Sequence, residues 1–134
     1  MLVERIFKGI NGLELIVKNR KSAVIFETDM DAIEGIMYFD IHFAEDVFKD
    51  LLEHIETVSS EAWKSLNIKE ADSSGCDYDE YYDRQLDNNG YLSIGMNALR
   101  FERPTLGSGK LYQFNKAKMG TFIYDFRKKV VSRE

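Results

Sequence analysis

Cysteine is almost missing from this 134-residue sequence: Cys76 stands alone, so no internal disulfide can form and the fold must rest on its core. Proline is equally scarce, with Pro104 the single example, and histidine occurs only at His42 and His54. No window approaches the ~20 consecutive apolar residues that a membrane-spanning helix needs. Glu4, Arg5 and Lys8 interrupt the apolar stretch that a secretory signal would require, and neither end carries a lipidation motif. These absences set the expectation of a soluble, cytoplasmic protein without a membrane partner.

What is present is enough to fold. Apolar residues make up 44% of the chain, aromatics 13% and charged residues 31%. This composition exceeds what a disordered chain carries and suffices for one core, so a single α+β domain over residues 1–134 is expected. The net charge of −5 hides a segregated pattern. Residues 1–26 hold five bases against two acids, whereas residues 27–61 hold eleven acids against Lys49 alone. Residues 62–87 add seven acids against three bases, and residues 88–134 reverse the sign with nine bases against three acids. Either the basic ends neutralise the acidic middle in the fold, or an acidic face remains to attract a basic partner.

Leu2 to Ile10 and Leu13 to Val17 are rich in β-branched and aromatic residues, and Asn11-Gly12 between them is a strong hairpin signal because both residues tolerate positive φ. Ala23 to Phe26 reads as a third, buried strand after a turn at Asn19-Arg20-Lys21, and Thr28 to Asp31 as a loop or cap. In the stretch Ile36 to Phe43, Phe39, Ile41 and Phe43 alternate with Tyr38, Asp40 and His42, the period of a half-buried strand. Val47, Phe48, Leu51, Leu52 and Ile55 repeat at helical spacing and predict an amphipathic helix from about Ala44 to Glu56. Ser60 is placed to cap a short second helix carrying Trp63 and Leu66.

Tyr91 to Phe101 reads as one strand with Leu92, Ile94, Met96 and Ala98 on a common face, ended by Pro104 and the Gly107-Ser108-Gly109 connection. Met119, Phe122, Ile123, Phe126 and Val130 predict a final helix capped by Asn115, with Arg127, Lys128 and Lys129 in its last turn. The expected architecture is α+β: a mostly antiparallel sheet, made of an N-terminal hairpin and meander, packed against two main amphipathic helices.

Catalytic signatures are sparse. Gly107-Ser108-Gly109-Lys110 lacks the remaining positions of a phosphate-binding loop. Cys76 sits among acids, which raise a thiol pKa and disfavour a nucleophile. Asp77, Asp79, Tyr81 and Asp83 follow the odd positions of a calcium loop, but Tyr82 and Asn88 replace its diagnostic glycine and glutamate. His42 and His54 with nearby carboxylates form a conceivable metal or acid–base set, although no ligand spacing links them. Basic residues Arg100, Arg103, Lys110, Lys116 and Lys118 interleave with Phe101, Tyr112 and Phe114 in the manner of single-strand binders, yet the acidic whole opposes nucleic acid.

One segment has no obvious structural task. Cys76 to Arg84 reads as a short edge strand or short helix, and Asp77, Tyr78, Asp79, Glu80, Tyr81, Tyr82 and Asp83 combine carboxylates with tyrosines, which are enriched at interfaces. The expectation is therefore a non-catalytic protein-binding domain for a basic partner, of the small acidic inhibitor (immunity-type) class, needing no cofactor. The alternatives are an enzyme using His42, His54 and nearby carboxylates, and a subunit of a homo-oligomer.

Overall fold

The computed structural model describes residues 3–70, 78 and 89–131. In chain order the elements are β1 (Val3–Lys8), β2 (Glu14–Arg20), β3 (Ala23–Glu27), a short 3-10 turn (Met30–Ile33), β4 (Tyr38–His42), α1 (Glu45–Ala62), β5 (Tyr91–Gly95), β6 (Ala98–Glu102), β7 (Lys110–Phe114) and α2 (Lys116–Val131). All strand pairings are antiparallel, in one sheet of order β1-β2-β3-β7 and a second of order β4-β6-β5. With two long helices this is the α+β architecture that the sequence pattern implies.

Alternating side chains decide which faces of the first strands turn inward. Leu15 and Val17 on β2 are fully buried, whereas β1 buries only Phe7 and forms the outer strand of its sheet. The β1–β2 connection closes with the Gly9 N–H donating to the Leu13 carbonyl at 2.7 Å, and Gly12 adopts a φ of +87° that a side chain would disfavour. The next turn is tighter: Arg20 faces Ala23, and Ser22 takes a φ of 64°.

Two asparagines join the sheets at opposite seams. Asn11 brackets β4, its Nδ2 donating to the Asp40 carbonyl (2.8 Å) and its Oδ1 accepting from the His42 N–H (3.3 Å), while the Ile10 N–H donates to the His42 carbonyl (2.6 Å). Asn89 brackets β7 in the same way, its side chain exchanging two 3.0 Å bonds with the backbone of Gln113. Each amide side chain stands in for a peptide group and meets backbone groups of a neighbouring strand. Gly9 permits the first seam, because a Cβ there would lie 2.9 Å from the His42 carbonyl oxygen. These seams set β4 beside the β1–β2 connection and β5 beside β7.

Aromatic packing joins the helices to the sheets. Phe26 of β3 meets Phe101, Phe114 and Phe122 edge-on at 5.0–6.3 Å, and Phe48 of α1 lies 4.6 Å from Phe126 of α2. The stripe read for α2 is confirmed, with Met119, Phe122, Ile123 and Phe126 fully buried, and Asn115 Oδ1 accepts the Lys118 N–H at 2.8 Å as the cap.

Two predicted elements take other forms. The first helix runs to Ala62 rather than Glu56, because Val58 and Ser59 continue its buried face; Ser60 is therefore inside α1, and residues 63–70 form no second helix. Tyr91 to Phe101 is a hairpin rather than one strand. Gly95 pairs with Ala98 across a turn at Met96-Asn97, where Asn97 has a φ of 53° and Met96 is 76% exposed.

Arg103 follows β6 and is fully buried. Its guanidinium donates to the carbonyls of Ile33 (2.9 Å), Ile36 (3.0 Å), Leu106 (3.2 Å) and Ser108 (2.8 Å). The planar fork thereby ties the loop before β4 to the loop before β7.

Candidate functional site

The outer face of the three-stranded sheet carries a groove with a volume of about 880 Å³. Because side chains alternate along each strand, the residues that point out of the sheet form cross-strand rows. In the first row Tyr38 of β4, Glu102 of β6 and Tyr91 of β5 stand side by side, with Glu102 in the centre. The second row is Asp40, Arg100 and Ser93, and the third is His42, Ala98 and Gly95. Ile36, anchored through its carbonyl by Arg103, closes one end of the groove, and Asn11 and Leu13 of the first hairpin close the other.

The charges in the groove are partly matched. Arg100 donates to both oxygens of Asp40, at 3.0 and 3.4 Å, and this hydrogen bond together with the Asp40 charge raises the Arg100 pKa. His42 Nε2 lies 3.8 Å from Asp40 Oδ2, beyond hydrogen-bond length. Tyr38 is 69% exposed although it belongs to a regular strand. The 3-10 turn beside the groove adds exposed Asp29, Asp31 and Glu34, interspersed with exposed Met30 and Ile36. Residues 27–46 contain seven acids and no base.

Elsewhere the basic ends do meet the acidic middle. Arg5 of β1 pairs with Asp50 of α1, and Arg127 of α2 pairs with Glu56 at 2.7 Å. These contacts pair two acids of α1, Asp50 and Glu56, with the basic ends.

Tyr78 has a structural position. It is buried, its hydroxyl donates to Asp125 (2.7 Å), its N–H donates to Thr121 Oγ1 (3.2 Å), and its carbonyl accepts from the Tyr112 hydroxyl (2.6 Å). Its ring meets Phe122 edge-on at 5.1 Å. Asp77, Asp79, Glu80, Tyr81, Tyr82 and Asp83 lie outside the described residues, as does Cys76.

The two histidines occupy different surroundings. His42 lines the groove, whereas His54 on α1 stacks against Phe7 at a ring separation of 5.4 Å. Burial lowers the His54 pKa, Arg5 lowers it further, and Asp50 and Glu61 act in the opposite direction. Among the described residues no three His, Cys, Asp or Glu side chains are grouped so as to hold a metal ion. Of the basic residues considered for nucleic acid, Arg103 and Lys118 are buried and Arg100 is held by Asp40.

Sequence reasoning placed Tyr38, Asp40 and His42 on one face of β4 but missed Glu102, Tyr91 and Arg100 as their neighbours. The signal that finds them is the register of β4-β6-β5, which no local pattern contains. No protein-family model, curated protein or solved structure matches the chain.

Proposed function

We propose that this chain is a non-catalytic protein-binding domain of the small acidic inhibitor (immunity-type) class, and that it takes a basic protein partner over the groove of the three-stranded sheet. The observation that carries this reading is the groove's combination of exposed Tyr38 and Ile36 with a flanking loop whose charges are all acidic. Tyrosine and apolar side chains supply contact area, while the surrounding carboxylates speed encounter with a basic surface and set its orientation. The acids and tyrosines Asp77, Asp79, Glu80, Tyr81, Tyr82 and Asp83 are proposed, from their composition, as further partner-binding residues.

The test is capture at modest ionic strength followed by kinetics with the purified partner. The expected partner is basic, with an on-rate that falls steeply as salt rises. Tyr38→Ala in the groove, and separately Asn/Gln replacements of Asp77, Asp79, Glu80 and Asp83, are each expected to weaken the complex about tenfold or more, the scale of a contact at an interface centre. A partner that is acidic, or whose on-rate ignores salt, overturns the reading; binding unaffected by one set of variants removes that surface from the interface.

A further inference from the structure

β1 ends its sheet, and among the described residues no strand pairs with its outer edge. The Gly9 N–H donates to the Leu13 carbonyl, so these two residues form a hydrogen-bonded pair of the β1–β2 ladder. Bonded and non-bonded pairs alternate along antiparallel strands, so Val3, Arg5 and Phe7 bond β2. Glu4, Ile6 and Lys8 therefore turn their N–H and C=O groups outward, and among the described residues these groups have no backbone partner. Ile10 comes next in the outward series, and its N–H donates to the His42 carbonyl of β4. The side chains of Glu4, Ile6 and Lys8 share the face turned away from α1, since Arg5 and Phe7 on the other face meet Asp50 and His54. Ile6 is 50% exposed although it stands opposite Ile16. Lys8 is exposed and makes no ion pair among the described residues. Glu4 meets only Lys18, at 3.9 Å, while Lys18 is held 3.0 Å from Glu27.

We propose that the β1 edge pairs with β1 of a second copy of this chain, antiparallel and centred on Ile6, so that two four-stranded sheets become one. Only residues with outward backbone groups can bond across the edge, so Glu4, Ile6 and Lys8 must pair among themselves. Centring on Ile6 sets each Glu4 opposite Lys8 of the second copy. Centring on Glu4 or on Lys8 would oppose like charges, and the registers between would set a charge against Ile6. The pairing of β1 with β2 extends the match. One row across the joined sheet reads Lys18, Glu4, then Lys8 and Glu14 of the second copy, alternating in sign. The central row reads Ile16, Ile6, then the same two isoleucines of the second copy. An edge guarded against pairing commonly carries lysine or proline. The run Val3–Lys8 instead carries both signs in an order complementary to its own reversal. The pairing ends at Lys8, because His42 already occupies the edge at Ile10. It uses neither the groove nor residues 29–34, so it is independent of the basic-partner reading.

Light scattering on the full chain across a concentration series tests it. The mass is expected to rise from 15.6 kDa toward twice that value between micromolar and near-millimolar concentration. Glu4→Lys and Lys8→Glu are each expected to raise the dissociation constant about tenfold or more, since the two-fold axis turns two attractive cross-strand pairs into two repulsive ones. The double variant restores opposite charges across the axis and is expected to recover most of that loss. Ile6→Pro is expected to be monomeric with a cooperative melting curve, because the N–H it removes bonds nothing within the fold. The two charge variants lie at exposed positions and decide the matter even if Ile6→Pro does not fold. A wild type that stays at 15.6 kDa throughout overturns the pairing and leaves the edge to a different chain. A dimer that keeps its affinity in Glu4→Lys and Lys8→Glu overturns it as well, and places the contact on another surface. A double variant no tighter than either single one overturns the register centred on Ile6.

Discussion

His54 shows how much a single side chain gives up in this fold. Its Nε2 is buried without a hydrogen-bond partner among the described residues, and its ring is held against Phe7. Burial of the ring and the nearby Arg5 both disfavour the imidazolium, so its folded-state pKa lies below the ordinary 6.5. The unfolded chain then binds the proton more readily than the folded one, and stability rises with pH wherever that difference exists. As pH falls through 6.5 toward the folded pKa, the contribution of His54 becomes unfavourable; below both values it changes no further. Urea midpoints measured between about pH 7.5 and pH 5.5 are expected to decline in the wild type. His54→Phe, which keeps a ring beside Phe7, should flatten that decline and be at least as stable at the upper pH, because it removes the unpartnered nitrogen. An equal slope in both proteins would assign the pH dependence to other groups.

At the scale of elements, α2 and the chain that follows α1 approach one another closely. A Cβ built on Gly120 would lie 2.0 Å from the Asn67 carbonyl oxygen, a backbone atom that cannot rotate away. Alanine gains ~1 kcal/mol over glycine in a helix interior, whereas overpacking costs ~1–3 kcal/mol and here acts on backbone. Gly120→Ala is therefore expected to lower stability by about 1–2 kcal/mol in a denaturant titration, and an increase would show that residues 63–70 yield freely. The same elements show what the sequence made legible. The stripe Met119, Phe122, Ile123, Phe126 announced α2 because it buries one continuous face, and Asn11-Gly12 between two β-rich runs announced β2. The β5–β6 hairpin escaped because its turn has two residues: Leu92, Ile94, Met96 and Ala98 keep even spacing straight through it, so period two cannot register the reversal. The end of α1 was hidden by Thr57, Ser59 and Ser60, which resemble a terminus, although Ser59 lies on the buried face. The groove was half visible for a related reason. Tyr38, Asp40 and His42 share a strand and announce a face, but Glu102 and Tyr91 join them only through a pairing between distant segments.

For the whole molecule, the segregated charge divides into a part that the fold pairs and a part that it presents. Arg5 with Asp50 and Arg127 with Glu56 carry the basic ends onto α1, yet all four side chains are about a third to a half exposed. Pairs of this kind contribute ~0–1 kcal/mol each, so they organise charge more than they stabilise the domain. Asp29, Asp31 and Glu34 are exposed instead, where their field reaches an approaching partner over roughly a Debye length, ~10 Å at 0.1 M salt. Stability and association should therefore respond to salt on different scales. Raising ionic strength from about 0.05 to 0.5 M is expected to move the melting temperature by only a few degrees, at roughly 3–5 °C per kcal/mol for a domain of this size. The on-rate of a basic probe, such as an oligoarginine peptide, is expected to fall about tenfold or more over the same range, because steering depends on unscreened field rather than on contacts. Asp29→Asn, Asp31→Asn and Glu34→Gln together should flatten that salt dependence and leave the melting temperature nearly unchanged, separating the field of this loop from the charge pairs that belong to the fold. A triple variant whose on-rate keeps the full salt dependence would place the steering charge elsewhere on the molecule.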